Sequence, residues 1–386
     1  MNNAPVSPEV ARAALILSRE CLKNRDSASE ALARLDDGVE LIALATGMYS
    51  LPMVAKHLKD LQPAWFNPQM TKQLELSFTL SHFVLRSELI AFHRRCIAPD
   101  NLEHAYIKGS ALAEVFFNRP ALRYARDIDV IVSRGDLPRI VNSAREAGYT
   151  ILNSLDATRN LEDEAGIQAA IRYQKVISLV SPMGRHIEVH WKIDKDQGLF
   201  DELQLLRDAD EVVLDGLVIS TLQPVDHFIY VAYHCARHNW SKLHWLADLD
   251  AMASSPLVPH GQLLDKAESL GLKGLIDETL AFVHLSGHLE VVPPGRLGAR
   301  ILDRVMDILL NGDERRIEFA NSQVATALPF PDLLSPSLRC RMKINRLWGR
   351  LSPQVSDYQA WPLPEQWQWV YRVTGPIGRM LRRGKS

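Results

Sequence analysis

The stretch Asp127-Ile128-Asp129-Val130-Ile131-Val132 constrains this chain more than any other. Four of its six residues are β-branched and predict a strand, because branched side chains fit a pleated surface better than a helix. Alternation along a strand puts Asp127 and Asp129 on one face, with Ile128, Val130 and Val132 on the other. Two carboxylates facing the same way repel, and such a pair calls for a divalent cation or a basic partner. The plainer reading is a strand mouth with two solvated acids, balanced by Arg123 and Arg126.

The surroundings set that strand in a sheet. Ala105-Tyr106-Ile107 is a short β-type run ending in Lys108-Gly109-Ser110, and Ala111–Asn118 predicts a helix stopped by Pro120. Asp136–Ala147 predicts a helix ended by Gly148, and Tyr149–Leu152 a further strand. Val176–Val180 and His186–Trp191 flank Pro182-Met183-Gly184, a hairpin signal. Asp215-Gly216 between Val212–Leu214 and Leu217–Ile219 signals a tight turn. The fold class is α+β or α/β, a mixed sheet with flanking helices.

On either side the pattern is helical. From Val6 to Phe92 apolar residues recur at three and four, as in Leu76, Leu80, Phe83, Val84 and Ile90, with Pro52, Pro63 and Pro68 dividing the run. Helices return after Pro224 and continue to about Leu310, and Pro329–Pro336 forms a proline-rich joint. The division is 1–98, an N-terminal helical lobe; 99–222, the α/β core; 223–328, a second helical domain; and 329–386, a segment rich in Pro, Trp and Arg.

A formal net charge of -2 disfavours a dedicated polyanion binder, so nucleic acid is not the expected partner. Cys21, Cys96, Cys235 and Cys340 form no CxxC pair and no disulfide framework, which fits a reducing compartment. Met1–Arg12 lacks a basic stretch leading into an apolar run. The longest uncharged apolar stretch, Leu41–Ala55, contains Gly47 and Pro52 and is shorter than the ~20 residues of a membrane span. A cytoplasmic protein is the expectation.

Two further pieces carry chemistry. Gly109-Ser110 stands at a strand end before a helix, where backbone N–H groups and the helix terminus favour a phosphate, although small residues are common at such turns. In His186-Ile187-Glu188-Val189-His190-Trp191, alternation puts His186, Glu188 and His190 on one face. Glu188 supplies a third oxygen ligand beside the aspartates if the two strands are neighbours; otherwise the face is an exposed edge.

In sequence order, a Gly-Ser turn, a helix, Asp-x-Asp on the next strand and one acid on a later strand resemble the polymerase-β-like nucleotidyltransferases. Tyr106–Ser110, then Arg123 and Arg126–Val132, then Glu188–Trp191, are similar to the nucleotidyltransferase family described only as uncharacterised. The stretch His234–Leu249 looks like that family's helical signature, and the likeness covers roughly residues 75 to 290. The resemblance implies a polymerase-β-like nucleotidyltransferase core between N-terminal and C-terminal helical regions. It also implies transfer of a nucleoside monophosphate from an NTP to an acceptor. Two Mg²⁺ ions, with Mn²⁺ as a substitute, would be held by Asp127, Asp129 and Glu188. Gly109 and Ser110 would hold the β,γ-phosphates, with Lys108, Arg123 and Arg126 as charge partners. Glu188 would double as general base. His190, His234, His238, Trp245 and Asp248 would line the acceptor pocket.

Rival readings remain at this level. His227, His234 and His238 fall within about 40° of one another on a helix and, with Asp226 and Asp248, suggest a helical metal-dependent phosphohydrolase. A non-catalytic nucleotide-binding module is a third class. Trp348, Trp361, Trp367, Trp369 and Tyr371 among Arg346, Arg350, Arg372, Arg379, Arg382 and Arg383 favour a tryptophan-rich cap packed on the helical lobe, ending in a solvated basic tail. The competing readings of that segment are a membrane-surface helix and a stacking surface for single-stranded nucleic acid.

Overall fold

In the computed structural model, residues 6–153, 156–160, 164–194, 198–288, 293, 295–311 and 331–383 are described. The chain forms two compact units, each assembled from three separate stretches. One takes Met1–Val84, Leu112–Ala125 and Gln223–Ser335; the other takes Leu85–Ala111, Arg126–Leu222 and Pro336–Ser386.

The second unit contains an eight-stranded mixed sheet in the order β4-β3-β5-β6-β2-β1-β8-β7. The strands are β1 (His104–Tyr106), β2 (Asp127–Val132), β3 (Thr150–Asn153), β4 (Asp156–Asn160), β5 (Val176–Val180), β6 (His186–His190), β7 (Asp210–Leu214) and β8 (Leu217–Thr221). β2 lies inside the sheet, antiparallel to β1 and parallel to β6. From Ile128 to Val132 it is buried on both faces. Burial of each large aliphatic side chain there contributes about 1.5–3 kcal/mol, enough to hold an acid-bearing strand in a sheet interior. The turn between β7 and β8 has Asp215 at φ 49° and Gly216 at φ 77°, the two positive values that a type I′ hairpin needs.

Helices α1 (Pro8–Leu17), α2 (Arg25–Ala33), α3 (Val39–Gly47), α4 (Leu51–Leu61) and α5 (Gln69–Phe92) realise the predicted N-terminal helical run. Pro52 sits in the first turn of α4, where its missing N–H costs nothing, and Pro63 and Pro68 lie between α4 and α5. Leu76, Leu80 and Phe83 on α5 are more than half exposed, so that apolar stripe is not core. α6 (Gly109–Phe116) starts two residues before the predicted Ala111. α7 (Leu137–Glu146) follows β2 as expected. β4, α8 (Glu164–Tyr173) and α9 (Glu202–Arg207) were not anticipated.

After Pro224 come α10 (Pro224–Arg237), α11 (Leu243–Ala253), α12 (His260–Leu270), α13 (Lys273–Leu285) and α14 (Ala299–Asn311). In this unit Arg19 is fully buried: its Nη1 donates to Asp250 Oδ1 at 2.8 Å, and Nη2 donates to the Val283 carbonyl and Ser286 Oγ. Much of the proline-rich joint lies outside the described residues.

The C-terminal stretch belongs to the sheet-bearing unit. Tyr173 on α8 donates its hydroxyl to Gln368 at 2.8 Å, and its ring meets that of the buried Tyr371 edge-on. The expectation of a packed tryptophan cap fails, because Trp348, Trp361, Trp367 and Trp369 are each more than half exposed. Tyr371, not a tryptophan, anchors the segment, its hydroxyl donating to the Trp361 carbonyl and accepting from Leu363 N–H. Among the described residues no helix is long and apolar enough to cross a membrane.

Candidate active site

The parallel pairing of β2 with β6 makes the neighbouring strands that the third acid requires. Asp129 is paired in register with Glu188, Ile131 with His190, and Asp127 with His186. The β5–β6 hairpin holds that register: Ser181 Oγ accepts from Met183 N–H and Arg185 N–H, and Gly184 turns the chain at φ 74°. Asp129, Glu188 and His190 each bring one ligand-capable atom within 4.8 Å of the others, the one such group among the described residues.

Asp129 is the buried centre of this group. Its Oδ1 accepts from Lys108 Nζ at 3.1 Å, and His190 Nε2 lies 3.1 Å from the same oxygen. His190 Nε2 is also 3.2 Å from Glu188 Oε2. Burial on its own would raise the Asp129 carboxyl pKa, but the Lys108 ammonium and the His190 ring overcome it and hold the group well below the usual carboxylate range. Burial would likewise lower His190, and hydrogen bonds and charge from Asp129 and Glu188 overcome it and raise the imidazole. The imidazole of His190 thus lies between two carboxylates.

Lys108 was read as a charge partner for phosphate, and here its ammonium reaches Asp129. The link needs β1 beside β2, where Ile107 N–H donates to the Asp129 carbonyl at 3.1 Å. Gly109 has φ 65°, and a Cβ built on it would stand 3.5 Å from the Asp127 carbonyl oxygen. The positive φ, rather than crowding, calls for glycine at this position. Ser110 is buried in the first turn of α6. Asp127 is half-buried on β2, outside the three-residue group, and Arg126 just before it is exposed.

The residue chemistry fits a divalent cation. Asp129 and Glu188 offer hard oxygen donors on adjacent strands. Asp129 Oδ2 is buried without a hydrogen-bond partner among the described residues, an unused ligand oxygen beside charges already drawn to the site.

The other predicted residues lie in the helical unit. Arg123 is buried and grips Asp248 with two hydrogen bonds, Nε to Oδ1 at 3.0 Å and Nη2 to Oδ2 at 2.8 Å. Asp226 pairs with Lys266 at 3.1 Å, and His227 is fully buried with its ring edge-on to Phe116. These partners use the acids that a histidine-centred metal site would need. His234, His238 and Trp245 do come together: ring centroids are 4.6 Å apart for the two histidines, and 5.1 and 5.5 Å from each to the indole. All three are half-buried.

Sequence reasoning missed the extension of this ring cluster. His244 lies against Trp245, and Tyr49 against His244. Tyr49 also stacks on Tyr124 at 5.0 Å, with Lys242 Nζ 4.6 Å from the Tyr49 ring centroid. Tyr49, Asn239 and Trp240 have φ of 59°, 55° and 50°, strained values for residues other than glycine, and the last two fall in the break between α10 and α11. No local sequence signal joins Tyr49 to residues 124 and 244.

Residues 36–286 match the family described as uncharacterised nucleotidyltransferase, and the chain belongs to it. No curated protein matches the chain as a relative.

Proposed function

We propose that the protein moves a nucleoside monophosphate from an NTP to a hydroxyl or similar group of a small molecule or peptide, with release of pyrophosphate. The observation that carries this reading is the in-register Asp129–Glu188 pair, with a free buried Asp129 oxygen, in a chain of nucleotidyltransferase family. Asp129, Glu188 and Asp127 would hold divalent cations, Mg²⁺ by their hard-oxygen chemistry, two in number once the triphosphate adds its oxygens. Such ions, when bound, neutralise charge on the phosphate oxygens and sharpen the acceptor nucleophile.

Gly109, Ser110 and the N-terminus of α6 orient the β,γ-phosphates, since unpaired backbone N–H groups and the helix dipole favour an anion there. Arg126 and Lys108 supply positive charge to the triphosphate. The acceptor oxygen bonds to the α-phosphorus, the α–β bridging P–O bond breaks, and pyrophosphate leaves with that electron pair. His190, between two carboxylates, orients Asp129 and Glu188. Half-buried Glu188, which solvent reaches, takes the acceptor's proton. His234, His238 and Trp245 are assigned to binding of the acceptor, and Arg123–Asp248 to the internal support of the helical unit that carries them.

Incubation with α-labelled NTPs, Mg²⁺ and a cell extract tests the reading. A labelled adduct formed together with pyrophosphate supports it. Free phosphate from phosphoesters, or tight NTP binding without turnover in any extract, would replace it with a hydrolase or a binding module.

A further inference from the structure

The segment 336–386 carries ten basic residues against Asp357 and Glu365, a net of +8 in a chain whose formal net charge is -2. Many of its apolar side chains stay at the surface. On the helix Pro336–Leu351, the residues Ile344, Leu347, Trp348 and Leu351 are all 45% exposed or more. At 100° per residue they occupy an arc of about 100°. Leu338 and Met342, on the opposite side, are buried and hold the helix in place. Arg341 and Lys343, both exposed, border the apolar arc on its two sides. Trp361, Trp367 and Trp369 add three more exposed indoles, and Val373 and Ile377 a second pair one turn apart.

The geometry points to this surface as a docking site for an anionic lipid bilayer, on which the segment lies flat. Three features select that occupant. Aliphatic side chains such as Ile344, Leu347 and Leu351 gain by entering an acyl layer, and they offer neither stacking nor charge to a nucleic acid. Tryptophan favours the depth of lipid headgroups, where its ring is buried and its N–H stays hydrated. A surplus of arginine and lysine beside an apolar face draws anionic headgroups and repels the same face of a second copy. No described helix is long and apolar enough to span, so the contact is interfacial.

The test is flotation of the full chain with phosphatidylcholine vesicles, with and without about one-third phosphatidylserine. We expect binding to the anionic vesicles alone, weakened by added salt, with tryptophan emission moving to the blue. Leu347→Ser with Trp348→Ser should lower partitioning at least about tenfold, as should Arg341→Glu with Lys343→Glu. These side chains are exposed, so unfolding midpoints should hold; should the apolar pair unfold, the charge pair decides. The proposal is overturned if the chain ignores anionic vesicles at low salt, or if binding survives both double variants. It is also overturned if the same variants abolish a tighter complex with single-stranded oligonucleotide, or dissolve a dimer seen by sedimentation.

Discussion

Asp129 and Glu188 stand opposite each other on adjacent parallel strands, and the buried aspartate is held by Lys108 and His190. This changes what neutralising the aspartate does. Two like charges on one strand face would suggest that Asp129→Asn relieves repulsion. The neighbours are Lys108 and His190, so the substitution leaves the Lys108 ammonium without its counter-charge and His190 without its carboxylate partner. We expect Asp129→Asn to cost about 3 kcal/mol of stability by urea unfolding and to lower transfer at least about 100-fold. Unchanged stability would mean that the pairing contributes nothing.

Single-turnover rates rank the acids and histidines. Glu188→Gln should abolish transfer while NTP binding weakens moderately. Asp127→Asn should lower the rate by at least about 100-fold, and a rate near that of the wild type would remove Asp127 from the ligand set. His186→Ala, exposed beside the Ser181–Arg185 turn, should matter least. An active Glu188→Gln beside an inactive His190→Ala would remove the carboxylate-centred mechanism.

Mg²⁺ and NTP should stabilise the protein together by more than the sum of their separate effects, because each completes the other's ligand set. Thermal shifts measured with each alone and with both report this directly. Additive shifts would argue for separate sites.

Stability should fall on acidification below neutrality. Burial, reinforced by nearby His104 and Arg94, pushes His93 down to about 4, and burial also lowers His57 and His104. In the unfolded chain each titrates near ~6.5. Between those values the unfolded state takes up protons that the folded state refuses, so the stabilisation is complete above pH ~6.5 and lost as the pH falls towards the folded values. Urea midpoints at pH 7 and pH 5 should differ, and His93→Gln should narrow the gap. A flat profile in the wild type counts against it.

Removing one partner of Arg123–Asp248 strands a buried charge. Asp248→Asn should cost about 3–5 kcal/mol, and the pair Arg123→Met with Asp248→Leu clearly less than the sum of the single losses. A full double-mutant cycle measures the coupling.

The strands that local chemistry specifies were legible in the sequence. β2 was readable from β-branching, and the β7–β8 turn from Asp215-Gly216. The acids were readable as faces, but not as a pair, because alternation says nothing about which strand lies alongside. Glu188 meets Asp129 through a parallel register fixed by the fold. The contact of Lys108 with Asp129 was not legible for the same reason: it depends on β1 lying next to β2. α8 went unnoticed although Ile167, Ala170 and Ile171 share a buried face, since it lies far from any motif. The C-terminal tryptophans show the reverse limit. Their apolar character was plain, but whether they face protein or solvent depends on Tyr371, Leu338 and Met342 taking the inward positions.

The Arg19–Asp250 pair joins residues 231 positions apart. During synthesis at about 5–20 residues per second, Arg19 leaves the ribosome roughly 10–50 s before Asp250 exists. Through that interval α1, whose Val10, Leu15, Ile16 and Leu17 end up buried, can pack on α2, α3 and α4 but still lacks α14. The nascent chain therefore carries an apolar helix covered on one side only, next to an uncompensated guanidinium, an object for chaperones to hold. Cutting the gene between the two residues would separate partners that neither fragment can replace.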